Sequence, residues 1–136
     1  MLTACKTIEH IPGGDLLLGI DLRPYAEKDF LITPHAYNGD YISIYIIDYI
    51  IMPEGNYVID EDSKSSPGSQ ESKVWIFEDI DAEAAVSGIY NHSIEMGADA
   101  IIDFKVEPYE IDWKFMPNPT TQKGMEITGI AIKRLD

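Results

Sequence analysis

DAEAAVSGIYNHSIEMGADAIIDFKVE, residues 81–107, decides the fold. Its apolar period changes from about 3.6 to 2 partway through, which is a helix followed by a strand. Asp81 is placed to cap the helix by accepting from the backbone N–H of Glu83 or Ala84. Asp79, Asp81 and Glu83 put negative charge at the positive end of the helix dipole. Ala82, Ala85, Val86, Ile89, Ser93 and Met96 fall on one helical face, which predicts a helix over residues 81–96. Gly97 suits the left-handed residue that ends a helix. Beyond it, Ala100, Ile102, Phe104 and Val106 alternate with Asp103, Lys105 and Glu107, the pattern of a strand with one buried face.

Working outward, residues 125–134 read as a strand. Ile127, Gly129 and Ala131 alternate there with Thr128, Ile130 and Ile132, so both faces are covered, one at close approach. Tyr41 to Met52 is dense in Ile and Tyr and reads as the strongest strand. Residues 16–22 read as a short strand, and residues 23–40 as a long connection with two prolines. Tyr57 to Ile59 and Val74 to Phe77 add short strand segments. The expected class is α+β: one long helix packed on an antiparallel-dominated sheet. The 136 residues make a single domain, 1–136, with a mobile loop over 60–73 and a long hairpin arm over 108–124.

The helix ending Met96-Gly97-Ala98-Asp99-Ala100-Ile101-Ile102 and the strand ending Thr128-Gly129-Ile130-Ala131-Ile132-Lys133 resemble the YbjQ-like family, uncharacterised protein family 0145. Gly19 to Tyr25 and Phe30 to Pro34 are similar to a Bacteroides-type branch of such proteins. The resemblance implies a dodecin-like α+β subunit and a ring-shaped homo-oligomer, pentameric in the better-known relatives. The family carries a heavy-metal-binding label, so the resemblance also implies a metal-binding or stress-related role as the alternative. The family's Gly-rich segment before the helix is not evident here, and the loops around 60–73 and 108–124 are longer.

Charge narrows the partners. Ten basic against 24 acidic side chains give a net charge of −14. Such a chain repels phosphate backbones, and Lys133-Arg134 is the only local basic pair, so nucleic acid is excluded as a partner. No apolar run is long enough to span a membrane; Tyr41 to Met52 is interrupted by Asp48. A single cysteine, Cys5, excludes an internal disulfide framework. The expected location is cytoplasmic. Leu2-Thr3-Ala4-Cys5 has the form of a lipobox, which makes a lipid anchor in the cell envelope the alternative if a signal peptide precedes it.

No motif assigns chemistry. Cys5, His10, His35 and His92 are the available metal ligands, but no C-x-x-C or H-x-x-x-H spacing joins them. Asp60, Asp62 and Glu71 echo a calcium loop, yet Lys64 stands at an oxygen-ligand position and Ser65 replaces the required glycine. No nucleophile elbow or phosphate loop is present, and no cofactor is implied. Contact candidates are clearer. Tyr41, Tyr45 and Tyr49 share a strand face under strict alternation, and Trp113, Phe115 and Met116 place apolar bulk on the arm. The reading is a non-enzymatic homo-oligomeric binding or structural module. Its partner is itself, with a small ligand or protein of unknown identity besides.

Overall fold

A computed structural model describes residues 19–59, 73–116 and 118–136. Cys5, His10, the lipobox-like Leu2 to Cys5, residues 16–18 and the calcium-loop echo at Asp60, Asp62 and Glu71 lie outside them. The described fold is α+β. In chain order it comprises α1 (Arg23–Ala26), β1 (Leu31–Ile32), β2 (Tyr41–Ile51), β3 (Gly55–Ile59), β4 (Lys73–Phe77), α2 (Ala82–Glu95), β5 (Ala100–Trp113) and β6 (Thr120–Arg134). A four-stranded mixed sheet has the order β1-β5-β6-β2, and β3 and β4 form a separate antiparallel pair. β1 runs parallel to β5, and the remaining pairings in the large sheet are antiparallel.

α2 begins where its cap allows. The Asp81 carboxylate accepts from the Ala84 N–H at 3.0 Å. It ends in a Schellman turn: Ala98 N–H donates to Ser93 O and Gly97 N–H to Ile94 O, each at 2.9 Å, with Gly97 at φ +90°. Its buried face is Ala85, Val86, Ile89, Tyr90 and Ser93, so Tyr90 joins the core and Met96 is exposed. This face packs with Tyr25, Phe30, Ile47, Ile101, Ile127 and Ala131 in the main core. The Tyr90 ring stands 4.8 Å from the rings of both Tyr25 and Phe30. Each such aliphatic or aromatic burial contributes roughly 1.5–3 kcal/mol. A smaller cluster on the other sheet face joins Ala100, Ile102 and Ile132 to Leu31 and Tyr37.

Two bulges change the faces that strict alternation predicts. In β5 the register with β6 shifts between Ile102 and Lys105, and Asp103 takes φ 52°. Ile101, Phe104 and Val106 therefore share the α2 side, while Ala100 and Ile102 face the other way. The bulged backbone is not idle: Asp103 N–H donates to His35 O at 3.1 Å and Phe104 N–H to Thr33 O at 3.0 Å. Gly129 lies under this bulge, where a Cβ would come within 2.9 Å of the Ile101 Cγ2 and 3.3 Å of the Ile102 carbonyl oxygen. In β2 a second shift falls between Ser43 and Tyr45. It puts Tyr41 on the face away from α2 and Tyr45 and Tyr49 on the α2 side, which corrects the shared face expected of the three tyrosines.

Other expectations also change. Residues 19–22 form no strand, and α1 and β1 lie within the stretch read as a connection. The hairpin arm itself is made of the paired ends of β5 and β6, out to Trp113 and Thr120, and so extends the large sheet. Arg134 ties the sheet to the end of α2: its Nε lies 3.3 Å from Asp99 Oδ1, and its backbone N–H donates to the same oxygen at 2.9 Å.

Candidate functional site

β2 is the outer strand on one side of the sheet, and among the described residues nothing pairs with its outward edge. Its composition explains why it pairs at all: Ile and Tyr fill a pleated surface along the whole register with β6, from Tyr41 opposite Arg134 to Ile51 opposite Met125. The same composition leaves apolar bulk outside. Ile46 is 81% exposed, and Ile42 and Ile50 are also exposed. An exposed, long, apolar edge strand is a template for another strand.

On the α2 side, β2 is anchored by one hydrogen-bond chain. Ser93 is fully buried, and its Oγ donates to Ile89 O at 2.7 Å. The Tyr45 hydroxyl lies 2.8 Å from Ser93 Oγ and supplies the proton there. The His92 ring stands edge-on to Tyr45, with centroids 5.4 Å apart. Between strand and helix lies a cleft of 290 Å³, bordered by Tyr45, Ile47 and Tyr49 on one side and Gly88 and His92 on the other. Gly88 leaves open space there, since an added Cβ would meet no atom within 4 Å.

On the opposite face, acidic groups gather around Asp48. Glu126 of β6 is the diagonal neighbour of Asp48, since Asp48 stands opposite Thr128 and Ile50 opposite Glu126. Hydrogen bonding to Asp48, then desolvation, then the charges of Asp48 and Glu107 hold the Glu126 carboxyl above the ordinary carboxylate range. Glu107 lies opposite Glu126 in the β5–β6 register, and Lys105 Nζ is 3.4 Å from Glu107. Among the described residues, Lys105 is the one lysine or arginine beside these three carboxylates.

The arm is partly tied down. Trp113 Nε1–H donates to Gln122 Oε1 at 3.1 Å, and Gln122 Nε2 donates to Pro53 O at 2.7 Å. The Asn118 amide bonds the Tyr57 hydroxyl at 3.0 Å and the Lys73 carbonyl. Trp113 and Met116 border a 170 Å³ cleft with Trp75 and Phe77, smaller than the ~300 Å³ of ordinary ligand pockets. Phe115 is fully exposed, so the apolar bulk expected to be buried on the arm is not all covered by this chain. A larger cleft of 660 Å³ lies below Ile20, Leu22, Phe104, Val106 and Met125, but among the described residues Glu107 is the only charged one lining it. It lacks the convergent polar groups that orient a small ligand.

Of the sequence-derived ligand candidates, His35 and His92 are both exposed and stand on separate elements. Among the described residues no three His, Cys, Asp or Glu side chains are arranged to hold a metal ion. No helix among them is long and apolar enough to cross a membrane. The residues missed by sequence reading are Ile46, Asp48, Ile50 and Glu126. For the three β2 residues the signal was the strand's own alternation, once it is known to lie at the edge; Glu126 is on β6 and emerges only from the β2–β6 register. No family model matches the chain, and no curated protein and no solved structure matches it significantly.

Proposed function

We propose that this chain is a non-enzymatic homo-oligomeric module, a binding or structural unit that works as an assembly. The observation that carries the reading is the outer edge of β2, unpaired among the described residues and flanked by exposed Ile42, Ile46 and Ile50. Fully exposed Phe115 on the arm adds a second apolar surface. The resemblance to YbjQ-like, dodecin-like subunits points the same way, towards a ring. The net charge of −14 opposes assembly, but at physiological salt such repulsion decays over about 8 Å. Light scattering on the full chain at micromolar concentration tests the reading. A defined oligomer is expected, and removing the Trp113 and Phe115 side chains tells whether the arm holds it. A monomer at every concentration and salt overturns the reading.

A further inference from the structure

The regular part of β2 is centred on its only charged residue. Beyond the bulge the strand runs Tyr45-Ile46-Ile47-Asp48-Tyr49-Ile50-Ile51. Consider a second copy that adds its own β2 antiparallel to this edge, about a twofold axis normal to the sheet. Only one register uses the whole stretch. It sets Ile46 opposite Ile50, Ile47 opposite Tyr49, Tyr45 opposite Ile51, and Asp48 opposite its own copy. Every pair but the central one is apolar or aromatic, the kind that stabilises a sheet, while like charges directly opposite destabilise it. On the α2 side, the copy's Tyr49 would enter the 290 Å³ cleft beside Gly88 and His92.

We propose that a second copy of this chain docks here by strand addition, and that protonation of the Asp48–Glu126 carboxyl pair gates the docking. This rests on the assembly reading above and names its surface and its regulation. Seven paired residues at ~3.4 Å each make a strip about 24 Å long, on a sheet about 10 Å thick with its side chains. Two such strips bury on the order of 500–1,000 Å² in total, at or below the lower limit of specific interfaces. An association this marginal can be decided by one pair of opposed charges. The described charged or titratable groups near Asp48 are Glu126 on β6 and Glu107 and Lys105 on β5, on its own face, and His92 on α2, which borders the cleft on the other side of the strand. With the carboxyl pairs ionised, two negative clusters meet on the axis, with Lys105 the one described lysine or arginine beside each. With them protonated, carboxyl groups meet and can hydrogen-bond. The dimer therefore holds protons more tightly than the monomer, so docking takes up protons and strengthens as pH falls. The raised Glu126 carboxyl in the single chain already leans this way.

Sedimentation equilibrium of the full chain at about pH 8 and about pH 4, the first above the carboxylate and histidine ranges and the second within the ordinary carboxylate range, tests the gate. The dimer should tighten at least ~10-fold in acid. Asp48→Asn should dimerise more tightly than wild type at the higher pH and lose most of the pH response. Glu95→Gln removes the same charge from an exposed position on α2, and His92→Gln removes the nearby imidazole; both should keep the wild-type pH response. Ile46→Lys should abolish the dimer at both values with an unchanged circular dichroism spectrum, since that side chain is 81% exposed. A pH response lost in His92→Gln but kept in Asp48→Asn overturns the gate. Oligomers that survive Ile46→Lys but dissociate when Trp113 and Phe115 are cut to alanine place assembly on the arm. That result overturns this inference and leaves the assembly reading standing. A monomer under all conditions overturns both.

Discussion

Gly97 and Gly88 bear the same substitution with opposite consequences. At both positions an added Cβ would meet no atom within 4 Å, so neither Gly→Ala change clashes. Only the backbone differs. Gly97 has φ +90° and closes the Schellman turn after α2, whereas Gly88 sits inside the helix. A left-handed alanine costs about 1–2 kcal/mol, and the stiffer unfolded chain returns about 0.4–1 kcal/mol. Gly97→Ala should therefore lose roughly 1 kcal/mol, and Gly97→Val more, because a β-branched residue fits that region worse. Gly88→Ala should gain up to about 1 kcal/mol, the helix-propensity difference. The two alanine variants should differ by roughly 2 kcal/mol, or about 6–10 °C in Tm for a chain of this size. Urea and thermal melts at neutral pH measure both, with an unchanged m-value showing that only stability has moved. If both midpoints move in the same direction, or Gly97→Ala is silent, the helix does not end as described.

Tyr45→Phe should cost about 0.5–1.5 kcal/mol, because Ser93 Oγ loses a donor in a buried site while keeping its own bond to Ile89 O. A double-mutant cycle with Ser93→Ala should show coupling of about 1 kcal/mol, and additive effects would mean that the hydroxyls do not interact. Two carboxylates should respond to pH with opposite signs. Glu126 is raised in the folded chain, so its contribution is complete below the ordinary carboxylate pKa and is lost as pH rises through the folded value. Glu126→Gln should then melt higher than wild type at neutral pH, with the gap closing in acid. Asp21 is held down to about 2 by hydrogen bonds from Arg23, so it stabilises above the ordinary carboxylate pKa and stops doing so as pH falls through about 2. Asp21→Asn should melt lower at neutral pH, with that gap also closing in acid. Melting curves across pH decide both, and a constant gap in either would reject the assigned cause.

What the sequence makes legible is whatever depends on local signals. The helix could be placed because Asp81, the apolar steps at Ala85, Val86 and Ile89, and Gly97 each act within a turn or two of the chain. The β6 alternation was readable for the same reason, including the close approach at Gly129. Bulges are different. Nothing local in Ile102-Asp103-Phe104 demands a positive φ at Asp103. The demand comes from Thr33 and His35, whose carbonyls accept from the bulged backbone about seventy residues away. The shift at Ser43–Tyr45 is equally non-local, and it is why Tyr41 left the face it was expected to share with Tyr45 and Tyr49. β1 was missed because two residues are too few to carry a period, and its pairing with β5 is parallel and distant in sequence.

The candidate site follows from a property that no window of sequence contains, namely which strands end up at the edges. A sheet with open edges must protect both, by shortness, bulges or charge. β1 is protected by being two residues long. β2 has eleven residues and cannot use that device. It has a bulge at Ser43–Tyr45 and a single acid at Asp48. The bulge disrupts pairing only at one end and leaves residues 45–51 regular. Among the described residues, protection of that regular stretch therefore rests on Asp48, and its neighbour Glu126 makes the protection depend on protons. A charge that merely solubilised the edge could stand anywhere along it. Placed at the centre of the regular stretch, it opposes symmetric self-pairing more than any other pairing. A foreign strand presents a carboxylate at that position only by chance, whereas a second copy always presents one in the symmetric register. The arrangement is thus selective for one encounter, that of the chain with its own copy, which is why removing Asp48 should release dimers rather than general adhesion.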